Sequence, residues 1–186
     1  MIILGIDPGS RKAGFGVVEL KGRDINYLDS FTLKFDTKLL FFDRLKEIYE
    51  GCCDVFTKYK PDEVAFESLV YVKNVSSLVK LSQARGVMLS ALFSHGKGSV
   101  FEYSPNFIKA SLTSYGLSSK ASVEKALNLI FGEIEFETDD SSDALAIAFC
   151  HSISRNKVDK LRGVSSSSFG RGKTLKTFAS KYLETK

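Results

Sequence analysis

Four carboxylates stand where a metal-dependent reaction could be assembled: Asp7, Glu67, Asp140 and Asp143. Asp7 ends the apolar run IILGID and precedes a Pro-Gly pair, and Glu67 stands near the end of a second run, VAFES. If both runs are parallel strands, their carboxyl ends lie where open α/β sheets place ligand sites. Asp140 and Asp143 are three residues apart, so on a helix they share one face.

The chemistry of such a set follows from its charge. Carboxylates that converge without Lys or Arg beside them repel one another and raise one another's pKa, and the sequence places few cations next to these acids. A divalent cation removes the repulsion, and hard oxygen ligands suit Mg²⁺ or Mn²⁺. Two such ions about 4 Å apart serve phosphodiester hydrolysis. Gly9 after Pro8 would let a phosphate backbone approach without a side chain in the way.

Each acid also has a purely structural interpretation. Asp7 could cap the Pro-Gly turn, and Glu67 could be a solvated side chain just past a buried strand. Asp140, or one of the two serines after it, could cap a helix. The helix that Asp143 opens is apolar on nearly every side, which predicts burial, and a buried carboxylate needs a partner.

The hydrophobic pattern predicts the elements that must position these acids. Short apolar runs bounded by turn residues predict five strands, over 2–7, 14–20, 25–35, 63–68 and 99–104. A 3.6-residue period predicts a helix over 45–59, and further helices are expected over 74–95, from Pro105 with breaks near Gly116 and Gly132, and from about Asp140. The order predicts an α/β fold, a mixed five-stranded sheet in which an antiparallel meander precedes parallel strands, with helices on both faces.

Length and composition narrow the class of protein. The chain has 186 residues, of which 44% are hydrophobic and 26% charged, which is typical of a globular protein without a membrane span. Its three cysteines, Cys52, Cys53 and Cys150, lack metal-type spacing and favour a reducing, cytoplasmic location. Residues 155–186 hold nine basic and two acidic side chains. We expect one domain over 1–156 and a basic, Ser-rich, flexible tail over 157–186 that could attract a polyanion.

Four segments, in this order, resemble the motifs of the RuvC-type Holliday-junction resolvases: ILGIDPGSRKAGFGVVE, FESLVYVKNVSSLVKLSQARGV, VFEYSPNFIKASL and DDSSDALAIAFCH. The resemblance extends from residue 1 to about residue 152. It implies an RNase H-like fold and a homodimer that resolves four-way DNA junctions by paired symmetrical nicks, in recombination and DNA repair. It also implies two Mg²⁺ ions per active site, with Mn²⁺ as an alternative.

The same resemblance assigns roles to individual residues. Asp7, Glu67, Asp140 and Asp143 match the catalytic, metal-binding acids. Some relatives have a histidine at the position of Asp140, and the neighbouring Asp139 matches no motif position. Lys109 and Lys120 match lysines that contact DNA near the scissile phosphate. Arg11, Lys73 and Arg85 are candidates for contacts to the DNA backbone, and Tyr71 is the candidate for an aromatic residue that stacks on bases. Without the resemblance, the two lysines would be interpreted as solvated helix residues.

The chain departs from the family pattern near the expected DNA contacts. Val70 stands where many relatives have an aromatic residue, so either Tyr71 takes the base-stacking role or that role is lost. Ser68 and Ser122 each replace a common glutamine. The small residues around Arg85 predict that its helix forms the dimer interface or packs inside the monomer. A branch-migration complex of the RuvA–RuvB kind is the further partner that the family implies.

Three other functions fit parts of the pattern. An actin-like nucleotide-binding domain also has a strand followed by a D-x-G-[ST] turn, but it needs a duplicated second domain that 186 residues without a repeat cannot supply. A non-catalytic junction-binding protein would not need four carboxylates. An RNase H-like nuclease with another substrate, such as an RNA–DNA hybrid, would share the acids. His95 and His151 are interpreted as an exposed residue at a helix end and a core or helix-dipole residue, and not as ligands.

Overall fold

The structure is a computed structural model that describes residues 1–69, 74–96, 98–113 and 116–165, the residues after Arg155 as backbone only. The chain divides into two compact units, Met1–Ile153 and Ser154–Lys186. The predicted boundary between a nuclease domain over 1–156 and a tail over 157–186 stays a prediction. No described helix has both the length and the apolar character needed to cross a membrane.

A five-stranded mixed sheet forms the centre of the first unit, in the order β3-β2-β1-β4-β5. The strands pair antiparallel from β3 through β1 and parallel from β1 through β5. This confirms the predicted antiparallel meander followed by parallel strands. The strands are β1 (Ile2–Asp7), β2 (Lys12–Lys21), β3 (Asp24–Lys34), β4 (Glu63–Glu67) and β5 (Ser99–Tyr103).

One face of the sheet carries the main hydrophobic core. Side chains that alternate along the strands, among them Leu4, Phe15 and Phe66, pack in one cluster with Ile48 and Met88 from two helices. These helices are α1 (Phe41–Tyr59) and α2 (Val75–Ser94). Because the central strand β1 is covered on both faces, its sequence is a continuous apolar run and not an alternating one.

The other face is covered by α5 (Asp139–Ser165), which approaches β1 and β2 at glycines. A methyl group on Gly5 would overlap the backbone of Ala144 and Ala148, and one on Gly16 would overlap the backbone of Leu145. Gly5 and Gly16 are paired across the two strands. The glycines therefore form a shallow groove into which the small, buried residues of α5 fit.

Two shorter helices follow β5 before the chain reaches α5. They are α3 (Pro105–Thr113) and α4 (Lys120–Phe131), in agreement with the predicted breaks near Gly116 and Gly132. Ser119 caps α4 by accepting a hydrogen bond from the N–H of Ser122 at 3.2 Å. The backbone of α5 continues to Ser165, which lies inside the segment predicted as a tail.

The predicted boundaries differ from the structure mainly at α1. The apolar period begins at Leu45, but the helix begins at Phe41. Its first turn contains the exposed Phe42 and the buried Arg44, so an apolar residue faces solvent where a basic residue is buried. Because this is the reverse of the usual arrangement, a prediction that assigns apolar residues to the core does not detect the first turn of α1.

Replacing Gly16 by Ala should reduce the free energy of unfolding by about 2–3 kcal/mol, because overpacking against a helix backbone leaves no side chain that can move aside. Urea unfolding followed by circular dichroism measures this change. Gly51→Ala in α1 is the matched control, since its methyl group would meet only the ends of the Leu33 and Phe35 side chains. The control should be neutral or slightly stabilising, because Ala favours a helix over Gly. Equal destabilisation by both variants would contradict the close approach of α5.

Candidate active site

Asp7 and Glu67 lie side by side at the carboxyl ends of two neighbouring strands. β1 and β4 are parallel, and Ile6 pairs with Phe66, so the next residue of each strand carries an acid at the same edge. Both side chains fall on the face that α5 covers, because the alternate residues Ile6 and Phe66 belong to the opposite core. The strand register alone therefore brings two of the predicted acids together.

The first turn of α5 brings Asp140 and Asp143 to the same edge. Gly14 pairs with Asp7, and a methyl group on Gly14 would overlap the backbone carbonyl of Asp140. Because Gly14 has no side chain, the helix start can lie directly on the strand beside Asp7. The side chains of Asp140 and Asp143 are 20% and 33% exposed. The structure thus places all four predicted acids around one end of the sheet.

Asp140 does not cap α5; of the three residues named as possible caps, Ser141 takes part in closing the helix start. α5 begins at Asp139, so Thr138 occupies the cap position. The hydroxyl of Ser141 donates to the carbonyl of Thr138 at 2.7 Å and accepts from its N–H at 3.4 Å, an arrangement like a capping box. The Thr138 hydroxyl is 2.6 Å from that of Thr32 on β3. Serine and threonine thus complete the helix end, and Asp140 and Asp143 are available for another role.

The acids affect one another's ionisation. Burial, followed by the charges of Glu67, Asp143 and Asp140, raises the pKa of Asp7 to about 7. Burial and the charge of Asp143 also raise the pKa of Glu67. This mutual repulsion opposes ionisation at neutral pH and is what we expected for converging carboxylates.

Two lysines partly compensate the acids, which corrects the expectation that few cations lie beside them. The Lys120 ammonium is 2.8 Å from Asp143 Oδ2 and 3.4 Å from Asp139 Oδ2, and the bond to Asp143 raises the pKa of Lys120 to about 12. Lys12 pairs with Asp140 Oδ2. Lys12 was missed because its proximity depends on strand register: it stands two residues before Gly14, on the same face of β2.

The donor set fits a hard divalent cation by its chemistry. All four predicted ligands are carboxylates, and burial together with the charges of neighbouring acids raises the pKa values of Asp7 and Glu67, which a bound divalent cation would lower. Among the described residues, no three His, Cys, Asp or Glu side chains are gathered around one point that could hold a metal ion. The four acids therefore share one edge of the sheet without forming a closed set of ligands in this structure.

Comparison with known proteins assigns the family. The family model described as crossover junction endodeoxyribonuclease RuvC matches residues 3–151. A crossover junction endodeoxyribonuclease RuvC of Legionella pneumophila is 40% identical over 162 residues, which cover 87% of this chain and 92% of that protein. The RuvC of Thermotoga petrophila is 40% identical over 154 residues, covering 82% of this chain and 93% of its own. This chain belongs to the RuvC family.

Solved structures agree with the RuvC assignment. The Thermus thermophilus RuvC in complex with Holliday junction substrate superposes with a TM-score of 0.78 at 29% identity, covering 85% of this chain and 96% of that chain. The yeast mitochondrial Holliday junction resolvase Ydc2 has a TM-score of 0.63 at 13% identity, covering 90% and 84%, and shows the fold alone. The predicted family and the RNase H-like fold are thereby confirmed.

The predicted DNA contacts of this RuvC family member fall into three groups. Lys109 and Lys120 lie beside the acids, since the charge of each partly opposes the rise in the pKa of Glu67. Arg11 is exposed in the turn after β1. Tyr71 and Lys73 lie outside the described residues, as does Val70, so their roles stay predictions.

Arg85 has a different environment from the one predicted. It is buried, its Nη1 donates to the Glu67 carbonyl at 3.2 Å, its guanidinium lies 5.0 Å from the Phe66 ring centroid, and Nη2 pairs with Glu102. A DNA contact needs an accessible side chain, so the burial of Arg85 argues against the predicted contact between this residue and DNA. Its contacts instead fix the backbone that carries Glu67. Sequence reasoning missed this role because a buried arginine has no periodic signal.

The other residues noted in the sequence have structural partners. Ser68 N–H donates to the Tyr103 carbonyl at 2.8 Å, and the Ser122 hydroxyl lies 2.9 Å from that of Ser119 at the start of α4. His95 is exposed, as predicted. His151 is fully buried within α5, with Nδ1 2.7 Å from the Tyr103 hydroxyl and Nε2 2.8 Å from Glu63 Oε2. His151 is therefore a core residue, and the helix-dipole alternative is wrong.

Replacing Asp7 by Asn should stabilise the metal-free protein at pH 8 and change it little at pH 4. A buried acid whose pKa rises from 3.8 to about 7 holds its proton in the folded state after the unfolded state has lost it. Stability therefore falls as pH rises from about 4 to 7, by on the order of 2–4 kcal/mol. Urea unfolding in chelator across this range measures the slope. Asp54→Asn, at an exposed position of α1, should keep the wild-type slope, and a wild-type slope in Asp7→Asn would contradict the assignment.

Proposed function

We propose that this chain is a structure-specific endonuclease that resolves four-way (Holliday) DNA junctions by paired symmetrical nicks, in recombination and DNA repair. The observation that carries the proposal is the meeting of four carboxylates from β1, β4 and α5 at one end of the sheet, where burial and the charges of the other three acids raise the pKa of Asp7 to about 7. Membership of a family of crossover junction endodeoxyribonucleases supports the substrate, as does a Thermus thermophilus relative solved with a Holliday junction substrate.

The four acids Asp7, Glu67, Asp140 and Asp143 are the residues that would hold two Mg²⁺ ions, with Mn²⁺ as the alternative. Bound there, the ions would supply an acidified water as nucleophile and stabilise charge on the departing 3′ oxygen. A partly buried carboxylate is costly to ionise, so the presence of four carboxylates at one end of the sheet favours a cation site over a purely structural role.

The lysines beside the acids provide the remaining positive charge. Lys120 lies within 2.8 Å of Asp143, and Lys109 is near enough to Glu67 to lower its pKa. Both are placed to offset charge that develops on the scissile phosphate. Lys12, paired with Asp140, lowers the repulsion between that acid and Asp7. Arg11, Lys73 and Tyr71 complete the proposed DNA contacts, the first two to backbone and the last to a base.

A non-catalytic junction-binding protein on the same fold is the less favoured alternative. Such a protein has no use for a carboxylate whose burial opposes folding at neutral pH, as that of Asp7 does. An RNase H-like nuclease with another substrate would have the same acids, so only a measurement of which substrate is cut can separate that nuclease from a junction resolvase.

We also propose a cytoplasmic location, with a RuvA–RuvB type complex as partner. The odd number of cysteines and their lack of metal-type spacing support a reducing compartment.

A cleavage assay tests the activity. We expect the wild-type protein with Mg²⁺ to make paired, ligatable nicks in a mobile four-way junction and to leave a linear duplex and an RNA–DNA hybrid uncut. Chelator should abolish cutting, and Asp7→Asn should reduce it by roughly 10³-fold or more. Asp54→Asn is the matched control and should cut normally.

A second readout of the same proteins separates metal binding from chemistry. Mg²⁺ should raise the melting temperature of wild type and Asp54→Asn, because an ion that binds only the folded state stabilises it, and should raise that of Asp7→Asn much less. Junction binding without cutting in Mg²⁺ or Mn²⁺ would instead favour the non-catalytic alternative. Preferential cutting of the hybrid would favour the other nuclease.

A homodimer is part of the proposal, and the exposed face of α2 supports it. Opposite its buried side, α2 presents a continuous stripe of apolar and small residues at i, i+3 and i+4 spacing: Val75, Val79, Ser82, Gly86, Ser90 and Phe93. Gly86 stands in the middle, and a methyl group there would meet nothing within 4 Å in the described part of the protomer. An exposed Gly costs a helix about 1 kcal/mol relative to Ala, so a second helix approaching closely is a physical reason for it.

Replacing Gly86 by Gln should convert the dimer to monomer without unfolding it, because the added side chain would keep the two helices apart. Sedimentation equilibrium gives the dissociation constant, and circular dichroism checks the fold. Ala121→Gln makes a similar enlargement at an exposed position of α4 and should leave the association unchanged. A wild-type monomer, or a Gly86→Gln protein that associates as tightly as wild type, would refute this interface.

A further inference from the structure

A polar cleft of about 520 Å³ lies between the turn after β1, the segment before α1 and the first turns of α2. Three of its lining residues are basic: Arg11, Arg44 and Lys80. The other described residues that line it carry hydroxyl or amide groups, and none carries a carboxylate. None of the four acids of the active site lines it, so the cleft is separate from the active site.

Arg44 is the unusual member of this cleft. Its residue is only 9% exposed, yet it enters no ion pair with any described residue. Its N–H groups donate to four backbone carbonyls instead: Nε to Asp36 at 3.0 Å, Nη1 to Ser10 at 3.4 Å, and Nη2 to Thr37 at 3.0 Å and Leu39 at 3.1 Å. Carbonyls solvate the guanidinium but leave its full positive charge in place.

The remaining donor of Arg44 points to a ligand. A guanidinium has five N–H groups. The four bonds use four of these groups, and the remaining one is on Nη1. No acceptor among the described residues takes that fifth N–H. A buried cation without a counter-charge is costly, and an arginine fork suits phosphate geometry. The cleft therefore has the chemistry to receive an anion with several acceptor oxygens.

The mouth of the cleft adds charge and hydrogen-bond donors. Arg11 and Lys80 are exposed, so their ammonium and guanidinium groups can move onto a ligand. The hydroxyls of Ser76 and Ser77 belong to the first turn of α2, whose dipole also favours negative charge. Asn74 already accepts from Ser77 N–H at 3.2 Å, which holds this helix start in place.

We propose that this cleft binds a backbone phosphate of the DNA substrate other than the scissile one. The inference rests on the proposed function, because it takes the ligand to be the same DNA that reaches the acids. Arg44 would connect the two sites, since the Ser10 carbonyl that it holds lies three residues after Asp7. A phosphate bound there would fix the register of the strand relative to the carboxylates.

Junction binding by cleft variants tests the proposal. All proteins carry Asp7→Asn so that the DNA stays intact, and the affinity for a labelled four-way junction is measured by fluorescence anisotropy over a range of salt. Arg11→Ala/Lys80→Ala removes the two exposed cations of the cleft. Lys21→Ala/Lys46→Ala removes two exposed lysines outside it and is the charge-matched control. We expect the cleft pair to weaken binding about tenfold and to reduce the salt slope by about 1, and the control pair to change neither appreciably.

Neutral phosphates locate the contact. A series of junctions carries one methylphosphonate at successive positions, which removes one charge each time. At one position away from the scissile phosphate, the substitution should weaken binding by the parent protein about tenfold and leave binding by the cleft pair unchanged. The proposal is overturned if the cleft pair binds like the control pair, or if no position distinguishes the parent from the cleft pair.

The failure of this proposal can be told apart from the failure of the proposed function. Cleavage of the unmodified junction in Mg²⁺ is measured in parallel with Asp7 intact. Junction cleavage without a cleft effect overturns the phosphate site and leaves the function standing. A cleft effect without junction cleavage supports the phosphate site and overturns the resolvase function.

Discussion

The close approach of α5 to the sheet is the constraint on which the rest of the structure depends. Gly5, Gly14 and Gly16 offer no side chains on the face that α5 covers, so helix backbone lies against strand backbone. A single methyl group at any of the three would separate the layers. The same approach delivers Asp140 and Asp143 to the edge where β1 and β4 end. The same close approach therefore determines both how the two layers pack and which acids meet at the site.

That geometry creates an electrostatic conflict which the protein resolves only in part. Three elements bring carboxylates together with enough burial to raise the pKa of Asp7 to about 7. Lys12 and Lys120 each pair with one of the helix aspartates, but no described lysine pairs directly with Asp7 or Glu67. Interiors hold such unbalanced charge where function requires it. The stability lost at this edge is supplied by the large apolar core on the opposite face.

Local patterns predicted most of the fold and the position of each acid. The strand IILGID and the buried helix DALAIAFC are visible because their apolar runs are uninterrupted, and the strand ends then locate Asp7 and Glu67. The environments of Lys12, Arg85 and Arg44 were not predictable in this way. Each depends on register or on burial of a basic side chain, and a single sequence gives no signal for a buried guanidinium that donates to carbonyls or pairs with one distant glutamate. The start of α1 was missed for the same reason.

The position of α5 at the end of the folded unit also orders events during synthesis. A nascent chain that has emerged through α4 contains all five strands and the two acids Asp7 and Glu67, but neither acid of α5. Its glycine-lined sheet face is still without α5, the helix that covers it in the complete chain. Domains generally fold as units, so a chain that ends before α5 lacks both the cover of this sheet face and two of the four predicted acids. The last described helix thus completes the packing of the sheet and the predicted set of acids in the same step.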